Sequence, residues 1–255
     1  MTYVKKVWNF HLALCICSLG FVVSLPTLAT WSLVAVDEPT QEVGSAGASC
    51  TGFVAGIVGL APGHGVIVAQ ALSNSAARKQ GVRLLREGQI PDSIVAAIAN
   101  IEFDRNFEQQ QYGIVARGFK NSSAAFTGND TYGRQGHVIG TSVAVQGNIL
   151  TGPEVREAAL KAFQENPLLP LAERLLLALE AGGKVGGDSR CGDQRALSAY
   201  LAVARPQDPA RYPYIKIIVP GQKRGGNNPV KIVRELYEAY PIKTKDNSKV
   251  ETTIQ

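Results

Sequence analysis

The chain has 255 residues, 45% of them hydrophobic and 18% charged. That composition excludes intrinsic disorder over the main part of the chain. The formal net charge of +5 is mild and no basic run carries interleaved aromatics, so a nucleic-acid partner is not expected.

Residues 2–29 have the parts of a secretory signal. Lys5 and Lys6 form the charged start, residues 12–25 the apolar core, and Pro26 breaks it. Thr27-Leu28-Ala29 then places small residues ahead of a cleavage point between Ala29 and Thr30. The alternative is an uncleaved anchor helix, but the apolar run is shorter than the roughly 20 residues a membrane span needs. Cys15 and Cys17 follow Leu14 and Ile16 rather than a small residue, which argues against a lipid anchor. The expectation is an exported protein, periplasmic or extracellular, with no stable membrane anchor after cleavage. Its folded domain spans residues 30–241, and residues 242–255 form a polar, disordered tail.

Residues 30–36 read as a strand, Asp37-Glu38-Pro39-Thr40 as a turn, and 42–50 as a second strand of a hairpin. Gly44, Ala46, Gly47 and Ala48 in the second strand suggest close approach of another backbone or of a ligand. After an apolar run at 53–60, Pro62-Gly63-His64-Gly65 turns into a buried strand at 66–72. A helix follows over 75–87 and stops at Gly88; Pro91 opens another, with Ile94, Val95, Ile98 and Ile101 at helical spacing. Residues 112–117 and 123–127 make a second hairpin, and 137–145 one long strand ending in Gln146-Gly147-Asn148. Val155, Ala158, Ala159, Ala162 and Phe163 line a helix, and 171–181 is a helix apolar nearly all round. Residues 182–188 read as a glycine-rich loop, 196–204 and 214–219 as strands, and 229–240 as a final helix with Ile232, Val233, Leu236, Tyr237 and Tyr240 on its apolar face.

Strands interrupted by helix pairs suit an α+β fold in which two mainly antiparallel sheets pack together with helices outside, a four-layer αββα sandwich. The same pattern also allows a two-layer α+β domain.

Cleavage before Thr30 would give this threonine its own α-amine, which makes it a candidate nucleophile that carries its own base. The plainer alternative is a threonine that merely starts a strand. Asn148, after Gly147 at a strand end, is a candidate oxyanion donor or a turn asparagine. Gln70, Asn74 and Gln146, also at strand ends, would orient a substrate amide or be satisfied buried polar groups. Asp37 would hold the terminal ammonium or shape the hairpin turn. Asp188 and Arg190 would anchor an acidic substrate or another segment of the fold.

Cys50 and Cys191 remain after cleavage. Pairing them suits an exported protein, with separate buried thiols or a reactive Cys50 as alternatives. His64 and His137 have no neighbouring cysteine or carboxylate cluster in the sequence, so neither a metal nor a cofactor is expected. No Gly-Lys-Ser/Thr follows the glycines at 56–65, and no Gly-x-Ser-x-Gly elbow occurs.

Five stretches carry a resemblance: Thr30-Trp31-Ser32-Leu33-Val34-Ala35; Ala69-Gln70-Ala71 with Asn74; Ala125-Phe126-Thr127-Gly128; Ala144-Val145-Gln146-Gly147-Asn148; and Gly186-Gly187-Asp188-Ser189-Arg190. Their order resembles the bacterial domain-of-unknown-function family 1028, which looks like a branch of the N-terminal-nucleophile (Ntn) hydrolases. The likeness runs from Thr30 to about Tyr240. It implies the αββα sandwich and hydrolysis of an amide, lactam or small peptide bond, without implying a substrate. Members without a signal begin Met-Thr; here signal cleavage would expose the threonine instead. Cys191 stands where many relatives have glycine, and with Cys50 looks like a disulfide of a secreted form. Three alternatives are therefore carried forward. They are an exported hydrolase using Thr30, a non-catalytic binding or structural protein on the same sandwich, and a thiol enzyme using Cys50. A homodimer would be an ordinary assembly for any of them.

Overall fold

The structure is a computed structural model that describes residues 30–120 and 122–241. The expected signal at 1–29 and the tail at 242–255 lie outside the described residues.

The chain opens with the hairpin β1 (Thr30–Asp37) and β2 (Glu42–Ser49), in register from Trp31↔Ala48 to Asp37↔Glu42. β3 (Val58–Ala61) and β4 (Gly65–Ala71) follow, then α1 (Ser75–Arg86) and α2 (Pro91–Ile98). Next come β5 (Gln110–Ala116), β6 (Ser123–Thr127), β7 (Arg134–Gly140) and β8 (Val143–Leu150). The chain continues through α3 (Glu154–Gln164), α4 (Leu171–Lys184), β9 (Ser198–Ala204), β10 (Ile215–Val219) and α5 (Pro229–Glu238). Among the described residues no helix is long and apolar enough to cross a membrane.

The strands form two antiparallel sheets, one of six strands in the order β10-β9-β2-β1-β8-β7 and one of four in the order β3-β4-β5-β6. Strand alternation then sorts the core. Trp31, Leu33 and Ala35 of β1 face α3, α4 and α5, whereas Val34 and Val36 meet Val66 and Val68 of the smaller sheet. On that sheet's other side Ile67 and Ile114 pack under Leu85 of α1 and Ile94 and Ile98 of α2. Helices thus cover the outer face of each sheet and the inner faces pack on each other, so the four-layer αββα sandwich holds over the two-layer alternative.

Four local expectations change. The single strand expected at 137–145 is the hairpin β7–β8, turning at Thr141-Ser142 with Ser142 at φ 58°. The glycine-rich loop begins later than expected, because α4 continues through Gly182 and Gly183. A Cβ on Gly182 would lie 3.1 Å from the Trp31 ring, so the glycine is there for helix-on-sheet packing. α2 ends at Ile98, which leaves Ile101 exposed, and Leu236 on α5 is exposed as well.

Candidate functional site

Thr30 begins β1 in the middle of the larger sheet, opposite Asn148 of β8. Its backbone nitrogen donates to Asn148 Oδ1 at 3.1 Å. Both residues are 2% exposed. Among the described residues nothing hydrogen-bonds to the Thr30 hydroxyl.

By alternation Thr30 shares with Ser32 the face that looks toward the smaller sheet, and there a polar cluster fills the space between the sheets. Ser32 Oγ donates to Gln70 Oε1 at 2.5 Å, and Gln146 Nε2 donates to Ser32 Oγ and to the Ser32 carbonyl at 2.7 and 3.0 Å. Gln70 Nε2 donates to Gln111 Oε1 at 2.7 Å and, more weakly, to the Thr30 carbonyl at 3.4 Å. Gln111 Nε2 reaches Thr127 Oγ1 at 2.9 Å and the Gly136 and Gly147 carbonyls, each at 3.0 Å. Each carboxamide both donates and accepts, so such amides can link two sheets with most of their polar atoms satisfied. The exception is Gln146 Oε1, which is buried with no hydrogen-bond partner. It sits against Gly113, where a Cβ would come within 1.9 Å of it.

Thr30, Asn148, Gln70 and Gln146 are thus brought together. Ser32 and Gln111 belong to the same cluster and were not singled out from sequence. A serine or glutamine inside a strand carries no sign of which layer it faces until the sheets are stacked. Thr127 extends the cluster to His137 Nδ1 at 2.9 Å. His137 is exposed, and partial desolvation pushes its pKa below the ordinary value, with the Arg156 guanidinium pushing the same way.

Two expected members lie elsewhere. Asp37 is at the far end of β1, about 23 Å from Thr30 at the rise of an extended strand. It shapes the hairpin turn, accepting from the Thr40 nitrogen (3.1 Å) and hydroxyl (2.6 Å), and cannot hold an amine at Thr30. Asn74 caps α1, accepting from the Ala76 and Ala77 nitrogens at 2.8 and 3.0 Å, and donates to Asp104 at 2.6 Å. Its carboxamide is committed to the helix and to Asp104, not to a substrate beside Thr30.

Asp188 and Arg190 lie at the Thr30 end of the sheet, since Asp188 bridges to Leu150 two residues past Asn148. The Asp188 carboxylate is fully buried and turned inward. It accepts from the Cys50 nitrogen at 2.7 Å and from Arg190 Nη2 and Nε at 2.8 and 3.1 Å. That arrangement ties residues 188–190 to the segment that follows β2. Cys50 and Cys191 form a disulfide with Cα atoms 5.8 Å apart, so Cys50 is no free nucleophile and the thiol-enzyme alternative falls. No group of three His, Cys, Asp or Glu side chains gathers as a metal site among the described residues.

A search of curated proteins returns no match. Among solved structures, a crystal structure of a DUF1028-family protein from Silicibacter pomeroyi is similar, with a TM-score of 0.68 and 26% identity, covering 83% of this chain and 88% of that one. The model of a family of unknown function, DUF1028, matches residues 30–225, which include β1, the polar cluster and the Asp188–Arg190 pair. By that match, over well more than half its length, the chain belongs to the DUF1028 family.

Proposed function

We propose that Thr30, its nitrogen freed by removal of residues 1–29 during export, is nucleophile and base of an Ntn-type hydrolase that cleaves an amide, lactam or small peptide bond. The observation that carries this reading is the 3.1 Å hydrogen bond from the Thr30 nitrogen to Asn148 Oδ1, at the start of a central strand. The disulfide supports export, because such bonds persist in oxidising compartments.

The free α-amine has a reference pKa of about 8, so part of it is neutral near pH 7. Through one water it takes the hydroxyl proton as Oγ1 attacks the substrate carbonyl. Asn148, whose Oδ1 accepts from the amine, is the residue assigned to the oxyanion. Collapse expels the amine leaving group, which takes its proton from the α-ammonium. A water, deprotonated by the same amine, then attacks the acyl–Oγ1 ester and releases the acid. Ser32, Gln70 and Gln146 act by positioning, tying the first residues of β1 to both sheets.

The first experiment is the intact mass and N-terminal sequence of the exported protein, followed by a screen of amides with Thr30→Ala as control. A terminus at Thr30 and turnover lost in Thr30→Ala are expected. A terminus elsewhere removes the base and would leave the non-catalytic binding protein as the better reading.

A further inference from the structure

The two sheets differ in width, and the mismatch falls at one edge. β6 lies against β7 and β8, β5 against β8 and β1, β4 against β1 and β2, and β3 against β2. β9 and β10 therefore project past β3. Their side chains on the inner side, Tyr200, Ala202, Lys216 and Ile218, floor a cleft of about 300 Å³. Val58 and Leu60 of β3 form its far wall, and Phe53, 59% exposed, stands at its rim. The volume is at the lower end of the range for small-molecule sites.

Three cations line this otherwise apolar space: Arg78 from α1, Arg211 from the loop before β10, and Lys216 from β10. No carboxylate lines it. None of the three forms an ion pair among the described residues. Arg211 lies over the Tyr212 ring at 5.6 Å, and Lys216 Nζ donates to the Arg211 carbonyl at 3.4 Å. Gly59 makes room for the Arg78 stem, since a Cβ there would come within 3.0 Å of Arg78 Cγ.

A neutral polar ligand would leave both the apolar walls and the cations unmatched. A ligand with an apolar body and one anionic end matches both: the body buries against the walls, and the anion makes charge-assisted hydrogen bonds at the mouth. We propose that the cleft between β3 and the overhanging strands β9 and β10 binds a small monocarboxylate bearing an apolar chain or ring. Its apolar part lies against Phe53, Val58 and Ile218 and its carboxylate meets Arg78, Arg211 and Lys216. Tyr200 separates this cleft from the Thr30 cluster. Its ring lies over Gly47, where a Cβ would approach to 2.7 Å, and its hydroxyl is fixed to Ser45 Oγ at 2.7 Å. The cleft shares no lining residue with the Thr30 cluster.

The test is calorimetric titration of the purified chain with decanoate below its micelle-forming concentration, with decylamine and acetate as the other probes. Saturable one-to-one binding of decanoate is expected, with neither of the others binding measurably. Lys216→Glu and Arg211→Glu, both at exposed positions, should each weaken decanoate by about tenfold or more, equivalent to about 1.4 kcal/mol. Their thermal midpoints should stay unchanged, and Thr30→Ala should bind like the parent protein. No decanoate binding, equal binding of decylamine, or unchanged affinity in both charge reversals would overturn the proposal. So would a dimer in sedimentation that Lys216→Glu dissolves and decanoate does not, because the cleft would then be a seat for a second copy.

Discussion

Thr30 and Asn148 meet because β1 and β8 are antiparallel neighbours in a register that sets them opposite each other. If Thr30 is the nucleophile, Thr30→Ala should reduce amide turnover to background while Thr30→Ser keeps part of it. One extra residue left in front of Thr30 should be as damaging as the alanine, because an amide nitrogen is no base. Asn148→Ala should lower kcat by about 10²–10³, the usual effect of losing one oxyanion donor. His137 makes a separate, stability-level prediction. Its pKa in the fold is lowered, first by partial desolvation and then by Arg156, so the unfolded chain binds its proton more readily than the folded one. Its contribution is therefore complete above about pH 6.5 and is lost as the pH falls from there through the lower folded value. Urea titrations at pH 5 and 7.5 should show this loss in the parent protein and a smaller one in His137→Gln. At this scale Gln70, Gln146 and Asn148 were legible as polar breaks in apolar strands, although Gln146 and Asn148 lie within β8 rather than at its end. It was ambiguous at Asp37 and Asn74, because short carboxylate and carboxamide side chains next to a turn or helix start bond the nearby backbone as readily as a ligand.

Among the elements, β2 shows best how a pattern can be read correctly and its cause missed. Its small residues do mark close approach, but what approaches is side chain. A Cβ on Gly44 would come within 2.7 Å of Leu175 Cδ1, and one on Gly47 within 2.7 Å of the Tyr200 ring. Gly47→Ala should therefore destabilise the protein by about 1–3 kcal/mol through overpacking, measured as a lower urea midpoint at unchanged m-value. The hairpin β7–β8 was hidden for a different reason. Its apolar alternation runs on across Thr141-Ser142, and Ser142 adopts a left-handed backbone without the glycine or asparagine that usually announces one. Gly182 and Gly183 misled in the opposite sense. Glycines that usually end a helix here let α4 lie against Trp31, whose indole nitrogen donates to the Leu179 carbonyl at 3.2 Å.

For the whole molecule, the alternation of strand groups with helix pairs was enough to propose the layers, because each buried sheet face needs a cover and the pattern supplied covers in the right order. The cleft beyond β3 was not legible, since it depends on how two sheets of unequal width are aligned, which no local pattern encodes. The disulfide closes a loop with a sequence separation of 141 residues. In the chain-entropy account that constrains the unfolded state by about 5 kcal/mol. Cys50→Ser with Cys191→Ser should accordingly lower the unfolding free energy by up to about that amount, and reductant should lower the thermal midpoint of the parent protein but not of the double variant.

The Asp188 carboxylate holds the Cys50 nitrogen, and its carbonyl accepts from the Cys191 nitrogen at 3.2 Å. Just beyond, the Leu197 nitrogen donates to the Ser49 carbonyl at 2.8 Å, where β9 joins β2. The two sulfurs thus come within bonding range when strands from opposite ends of the chain have found each other, and such distant pairings are slow steps in folding. Oxidation of this pair should for that reason come late, a seal set after the sheet has closed rather than a clamp that guides its closing.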